Sequence, residues 1–128
     1  ESPSLKNMAV LVLDDSEDTV EMLRYVLERS NAAVTTAISG AEALQFASER
    51  VFDAILSDIS MPGMDGFEFI RSLRALPAHQ QTPVLALTGF GRSIDIEQVT
   101  NAGFAAHFTK PLDLEALAVA LSEIRQRG

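Results

Sequence analysis

The sequence contains no cysteine, which excludes a disulfide framework and any zinc or thiol chemistry that depends on thiolates. That absence suits a reducing compartment. No apolar run approaches the ~20 residues needed to span a bilayer, and the first residues lack a basic stretch followed by an apolar one, so nothing reads as a membrane span or a secretory signal. Positive charge is scarce: 10 Lys and Arg stand against 18 Asp and Glu, a formal net charge of −8. Nucleic acid is repelled on average, and no Lys/Arg stripe offers a local exception. What is present is 128 residues, 47% of them hydrophobic, one domain's worth with enough apolar material for a real core.

Residues 1–7 are polar, include Pro3 and do not begin with Met. They read as a linker, a processed end or a segment boundary, leaving 8–128 as a single domain. Met8 to Leu13 is continuously apolar and stops at Asp14-Asp15, the pattern of a strand buried on both faces that ends in an acidic loop. Asp18 to Ser30 carries Val20, Leu23, Tyr25, Val26 and Leu27 at helical spacing, with Asn31 suited to a left-handed C-terminal position. Ala33 to Ile38 is a weaker strand, and Ser39-Gly40-Ala41-Glu42 is a capping box that opens a helix with Ala43, Leu44 and Ala47 inward.

The third strand, Ala54-Ile55-Leu56, delivers Asp58 into a turn containing Pro62, Gly63 and Gly66. Phe67, Ile70, Leu73 and Leu76 mark the helix that follows; Pro77 closes it, and Ala78 to Thr82 reads as a polar loop. Val84 to Leu87 forms a fourth strand ending at Thr88, followed by a two-glycine loop and a short helix, Ile94 to Ala102, rich in β-branched residues. Ala105 to Thr109 is a fifth strand ending at Lys110-Pro111, and Leu112, Leu114, Leu117, Leu121 and Ile124 line a last helix that Asp113 helps cap.

Five strands alternating with five helices over short connections imply a doubly wound α/β domain with a parallel sheet and right-handed crossovers. The carboxyl ends of such strands share one edge, where ligands bind. That edge collects Asp14, Asp15, Asp58, Thr88 and Lys110, while the second strand alone ends without an obvious functional group. Three converging carboxylates resist ionising together unless a cation is present, and oxygen-only ligands suit Mg²⁺. A carboxylate beside Mg²⁺, an ammonium and a hydroxyl is a set suited to covalent phosphoryl transfer, with Asp58 as the nucleophile. Pro111 restricts the backbone of Lys110 to an extended form, which directs the ammonium across the edge.

Asp14-Asp15, the segment from Asp58 to Gly66 (Asp-Ile-Ser-Met-Pro-Gly-Met-Asp-Gly), Thr88-Gly89 and Lys110-Pro111 give the chain a pattern that resembles the receiver domain of two-component response regulators, from Met8 to Arg127. The resemblance implies a flavodoxin-like (βα)5 three-layer sandwich with strand order 2-1-3-4-5, a cis Lys110-Pro111 bond, and Mg²⁺ (or Mn²⁺) held by Asp14, Asp15, Asp58 and the backbone carbonyl of Ser60. It implies a cytoplasmic signalling protein whose phosphoryl donor is a phosphohistidine on a histidine kinase or phosphotransfer domain. Another domain of the same longer chain is an expected partner. Homodimerisation or docking is expected through the fourth helix, fifth strand and fifth helix. Thr88 and the residue at 107 occupy the family's switch positions, and Ser60 and Phe90 those flanking the hydrolytic water. The family usually has Tyr or Phe where this chain has His107.

Three other readings compete. A haloacid-dehalogenase-like phosphatase shares the aspartyl phosphate but wants a second Asp two residues after the nucleophile, where this chain has Ser60. A flavin module needs a neutral loop after the first strand, not Asp14-Asp15-Ser16-Glu17-Asp18. A degenerate receiver acting as a constitutive interaction module would typically lack part of the site, and all five site residues are present.

Overall fold

The computed structural model describes residues 4–89 and 95–127. Among them the elements run β1 (Ala9–Leu13), α1 (Glu17–Arg29), β2 (Ala33–Ala37), α2 (Gly40–Glu49), β3 (Ala54–Asp58), α3 (Gly66–Arg74), a 3₁₀ turn (Pro77–His79), β4 (Val84–Thr88), α4 (Ile96–Asn101), β5 (Ala106–Thr109) and α5 (Leu114–Arg127). The strands form one sheet in the order β2-β1-β3-β4-β5, and every neighbouring pair is parallel. This is the flavodoxin-like order that the resemblance implied.

Successive strand residues point to opposite faces, and here each face meets its own apolar layer. Val10, Val12, Ala54, Leu56, Leu85 and Leu87 pack with Val20, Leu23 and Leu27 of α1 and Leu117 and Leu121 of α5. Leu11, Leu13, Ile55, Val84 and Ala86 pack with Ala43 and Ala47 of α2, Phe69, Ile70 and Leu73 of α3, and Val99 of α4. Each fully buried Leu, Ile or Phe contributes about 1.5–3 kcal/mol relative to exposure, so the unbroken apolar runs of β1, β3 and β4 are what fix these strands at the centre of the sheet.

The helix ends follow local chemistry. Asn31 has φ 77°, and Asn31 N–H donates to the Glu28 carbonyl while Ala32 N–H donates to that of Leu27, the Schellman pattern that a left-handed residue after a helix permits. Ser39 Oγ accepts from Glu42 N–H, but the Glu42 carboxylate reaches Ile38 N–H, one residue earlier than a strict capping box requires. The full box occurs at α3, between Asp65 and Glu68.

Several expectations need correction. Leu5, assigned to a segment outside the fold, is completely buried; its N–H donates to the Ser30 carbonyl, so its side chain completes the layer beneath α1 and α5. Tyr25 points outward, 63% exposed, because Val20, Leu23 and Leu27 already fill the stripe of α1 facing the sheet. In α3 the core aromatic is Phe69, while Phe67 is half-buried and meets Phe104 edge-on at 5.9 Å. The stretch from Ala78 to Thr82 is not merely a polar loop: it holds part of the 3₁₀ turn and a buried His79. The α4 helix spans Ile96 to Asn101, with Asp95 as its N-cap, and the expected start at Ile94 lies outside the described residues.

Candidate functional site

The β1, β3, β4 and β5 strands deliver their ends to one edge of the sheet. Asp14 follows Leu13 and is fully buried; Asp58, the last residue of β3, is 3% exposed; Thr88, the last of β4, is also buried. Asp15 is exposed, and Ser60 and Lys110 are half-buried. The β3 turn can begin abruptly because Gly66 N–H donates to the Ile59 carbonyl at 2.8 Å, drawing the start of α3 against the end of the strand.

Carboxylate oxygens of Asp14, Asp15 and Asp58 all lie within 4.8 Å of one another. Asp14 Oδ1 accepts from Ser16 N–H at 2.9 Å and its Oδ2 accepts from Lys110 Nζ at 2.7 Å. Asp58 Oδ1 accepts from Ser60 N–H at 3.2 Å, and its Oδ2 stands 3.8 Å from the same ammonium. Burial, and then the Asp14 charge, push the Asp58 carboxyl from its ordinary 3.8 up to about 6; Lys110 and the Ser60 N–H oppose that rise, and Asp15 adds to it. One ammonium therefore does not neutralise the carboxylates it touches. Clustered oxygen donors with surplus negative charge fit a hard divalent cation such as Mg²⁺.

The Thr88 hydroxyl does not point at Asp58. It donates toward the Thr109 hydroxyl, 3.1 Å away, and lies 3.4 Å from the Phe108 carbonyl. The sequence reading missed Thr109, although its place at the end of the strand beside β4 was the available signal. Lys110 N–H donates to the Thr88 carbonyl, which extends the ladder one step and sets the root of the lysine. The Lys110-Pro111 bond is cis. His107 pairs in register with Ala86 and is half-buried; since Ala106 and Phe108 face the α1/α5 layer, alternation turns His107 to the α4 side. Phe90 lies outside the described residues. Among the described residues no helix is long and apolar enough to cross a membrane.

Residues 10–122 match the response regulator receiver domain family. A 14.6 kDa protein in the sodA1 3′ region of Leptolyngbya boryana is 40% identical over 110 residues, covering 86% of this chain and 84% of that protein. The signal transduction histidine-protein kinase BarA of Escherichia coli is 34% identical over 110 residues, 86% of this chain but 12% of the kinase, so the chain spans a small part of that relative. Among solved structures, the chemotaxis protein CheY4 of Vibrio cholerae superposes with a TM-score of 0.84 at 34% identity, covering 91% of this chain and 98% of CheY4. The receiver domain of the sensor histidine kinase PA1611 of Pseudomonas aeruginosa, which has a magnesium ion coordinated in its active-site cleft, superposes with a TM-score of 0.82 at 27% identity, over 91% and 95% of the two chains. Sequence, strand order and the acidic edge agree, and the chain belongs to the response regulator receiver domain family.

Proposed function

We propose that this receiver domain is a phosphorylation-dependent signalling switch in which Asp58 accepts a phosphoryl group from a phosphohistidine on a histidine kinase or phosphotransfer domain, with Asp14, Asp15, Asp58 and the Ser60 carbonyl holding Mg²⁺. The observation that carries this reading is the Lys110 ammonium between Asp14 and Asp58, at 2.7 and 3.8 Å, in a cluster of carboxylates that it only partly neutralises. An oxygen of Asp58 forms the new O–P bond as the N–P bond to the donor imidazole breaks, and the electron pair of that bond stays with the imidazole nitrogen, which takes up a proton. Lys110 faces the charge that develops on the transferring group. Mg²⁺, when bound, supplies further charge neutralisation and lets Asp58 remain ionised at neutral pH.

The Thr88 hydroxyl, bonded toward β5 in this state, is free to turn to a phosphoryl oxygen once one is present. His107, on the α4 side of β5, is then the ring that responds to the vacated space. Ile96 on α4 and Val119 on α5 are 53% and 42% exposed, which suits a docking or dimerisation face on those helices. The share of BarA that the chain spans supports work as one domain of a longer protein. A haloacid-dehalogenase-like activity is disfavoured by Ser60, whose hydroxyl is a poor acid–base group at neutral pH.

The test is incubation with a small phosphodonor or with fluoroberyllate, with and without Mg²⁺. Mass spectrometry is expected to find one phosphoryl group on Asp58 that requires the ion, and Asp58→Asn abolishes it. Modification that survives EDTA, or that maps elsewhere, overturns the assignment. For the switch, His107→Ala is expected to reduce the fluoroberyllate-induced NMR shifts of α4 and β5 several-fold; unchanged shifts remove the ring from the switch.

A further inference from the structure

β2 alone among the strands brings no charged or hydroxyl side chain to the acidic edge, yet the turn that follows it touches the edge in another way. Gly40 is the first residue of α2 and is buried. A Cβ at that position would lie 2.6 Å from Met64 Sδ, 3.1 Å from its Cγ and 3.2 Å from its Cβ. Real side chains do not tolerate the first distance, and the other two show that the stem of Met64, not only its tip, rests on the glycine. Met64 sits in the loop between β3 and α3 and packs against the α2/α3 core layer. That loop carries Ser60.

The loop is fixed at its far end by a second close approach. A Cβ on Gly66 would lie 2.6 Å from the Asp58 carbonyl oxygen and 2.7 Å from Ile59 Cα. Both contacts are with backbone, so only glycine lets α3 begin against the end of β3. The loop from Ile59 to Asp65 is therefore pinned at Gly66 by main chain and seated at Met64 on the first turn of α2. Neither glycine has a positive φ, so what requires them is close approach, not backbone conformation.

We propose that Gly40 is a positioning residue for the metal site: by admitting Met64 it sets the height of the loop over the sheet edge, and hence the place from which Ser60 meets the ion beside Asp58. This rests on the metal-binding reading given above. A Gly whose only task was to start α2 would be improved by Ala, because Ala is the better helix former. Under the proposal Gly40→Ala instead displaces Met64 and the loop, while the helix itself is not weakened.

The experiment compares wild type, Gly40→Ala, Met64→Ala and the double variant by ¹H–¹⁵N spectra of the metal-free proteins and by Mg²⁺ titration. Gly40→Ala is expected to shift the amides of Ile59 to Asp65, Ser60 N–H included, and to weaken Mg²⁺ binding about tenfold or more, the scale of lost outer-shell support at metal sites. In the Met64→Ala background the same substitution is expected to cost less than about twofold, because the two nearest atoms, Sδ and Cγ, are gone and the Cβ that stays, 3.2 Å away, needs to give by only a few tenths of an ångström, so the two changes are strongly non-additive. Unmoved loop amides, Mg²⁺ affinity within about twofold of wild type in Gly40→Ala, or additivity in the cycle each overturns the role of Gly40. A wild-type protein that fails to bind Mg²⁺ strikes instead at the metal-site reading itself.

Discussion

The two edges of the sheet are built from similar residue types and treat them in opposite ways. At the edge where the strands begin, polar groups are closed into complete networks. His79 is fully buried, and both ring nitrogens are engaged, Nδ1 with the Thr82 hydroxyl at 2.8 Å and Nε2 with the Arg50 carbonyl at 3.0 Å. Its ring stacks on Phe52, and the Arg74 guanidinium donates to the carbonyls of His79 and Thr82. Asp53 Oδ2 accepts from Ala9 N–H at 2.7 Å. At the other edge, three carboxylates cluster and two of them, Asp14 and Asp58, share one ammonium, and burial leaves Asp58 with a carboxyl that resists ionising. One edge spends its polar groups on holding loops together; the other keeps surplus negative charge of the kind that a divalent cation offsets.

The sharpest test of this contrast is at His79. His79→Ala leaves the Thr82 hydroxyl and the Arg50 carbonyl without partners and opens a void beside Phe52, and is expected to lower unfolding free energy by about 2–4 kcal/mol. Mg²⁺ affinity at the opposite edge should stay within about twofold of wild type. Urea denaturation beside calorimetric titration measures both, and a large loss of Mg²⁺ binding without a loss of stability would break the division between the edges.

A smaller effect is expected from pH. A carboxyl held at about 6 when folded, against an ordinary 3.8, binds its proton more tightly in the folded state. The stability this provides is fully present below the unfolded value and is lost as pH rises through the folded one. Metal-free protein should therefore become less stable between about pH 4 and pH 7, by on the order of 1–3 kcal/mol, and Asp58→Asn should remove that component. Mg²⁺ affinity should rise over the same window, since the ion and the proton compete for one carboxylate. Identical pH profiles of urea midpoint in wild type and Asp58→Asn would show that Asp58 does not titrate there.

The smallest expected effect is at Thr109, whose hydroxyl receives that of Thr88 but is exposed to solvent. Thr109→Val is expected to cost under about 1 kcal/mol, because water can replace the lost partner. A cost as large as that of His79→Ala would mean that the acidic edge is as tightly knit as the other.

The elements and their order were legible in the sequence because β1, β3 and β4 are apolar runs that end abruptly, β2 and β5 are short mixed stretches between turn signals, and the helices carry apolar stripes and capping residues. The acidic edge was legible for the same reason: Asp14, Asp58 and Thr88 stand where apolar runs stop, and Lys110 stands where the fifth strand meets Pro111. What periodicity could not supply were contacts between elements. Phe67 stands three residues before Ile70 and Phe69 four before Leu73, so either ring can extend the apolar stripe from a different side, and the packing of α3 on the sheet makes Phe69 the core residue. His79 looked like loop polarity because its partners, Arg50 and Thr82, come from different connections. Leu5 lay in a polar stretch, and its burial depends on a pocket formed by α1 and α5. The direction of the Thr88 hydroxyl likewise depends on a neighbour in another strand.

The ion pair between Lys110 and Asp14 joins positions 96 residues apart. A chain made from its N-terminus forward carries Asp14, Asp15 and Asp58 long before it carries their counter-ion. The three acids are therefore without that counter-ion until β5 is synthesised and pairs beside β4. The charge balance of the acidic edge is thus decided by the next-to-last element of the chain, and a copy that ends before β5 lacks both the ammonium from which Asp14 accepts and the one cation seen beside Asp58 among the described residues.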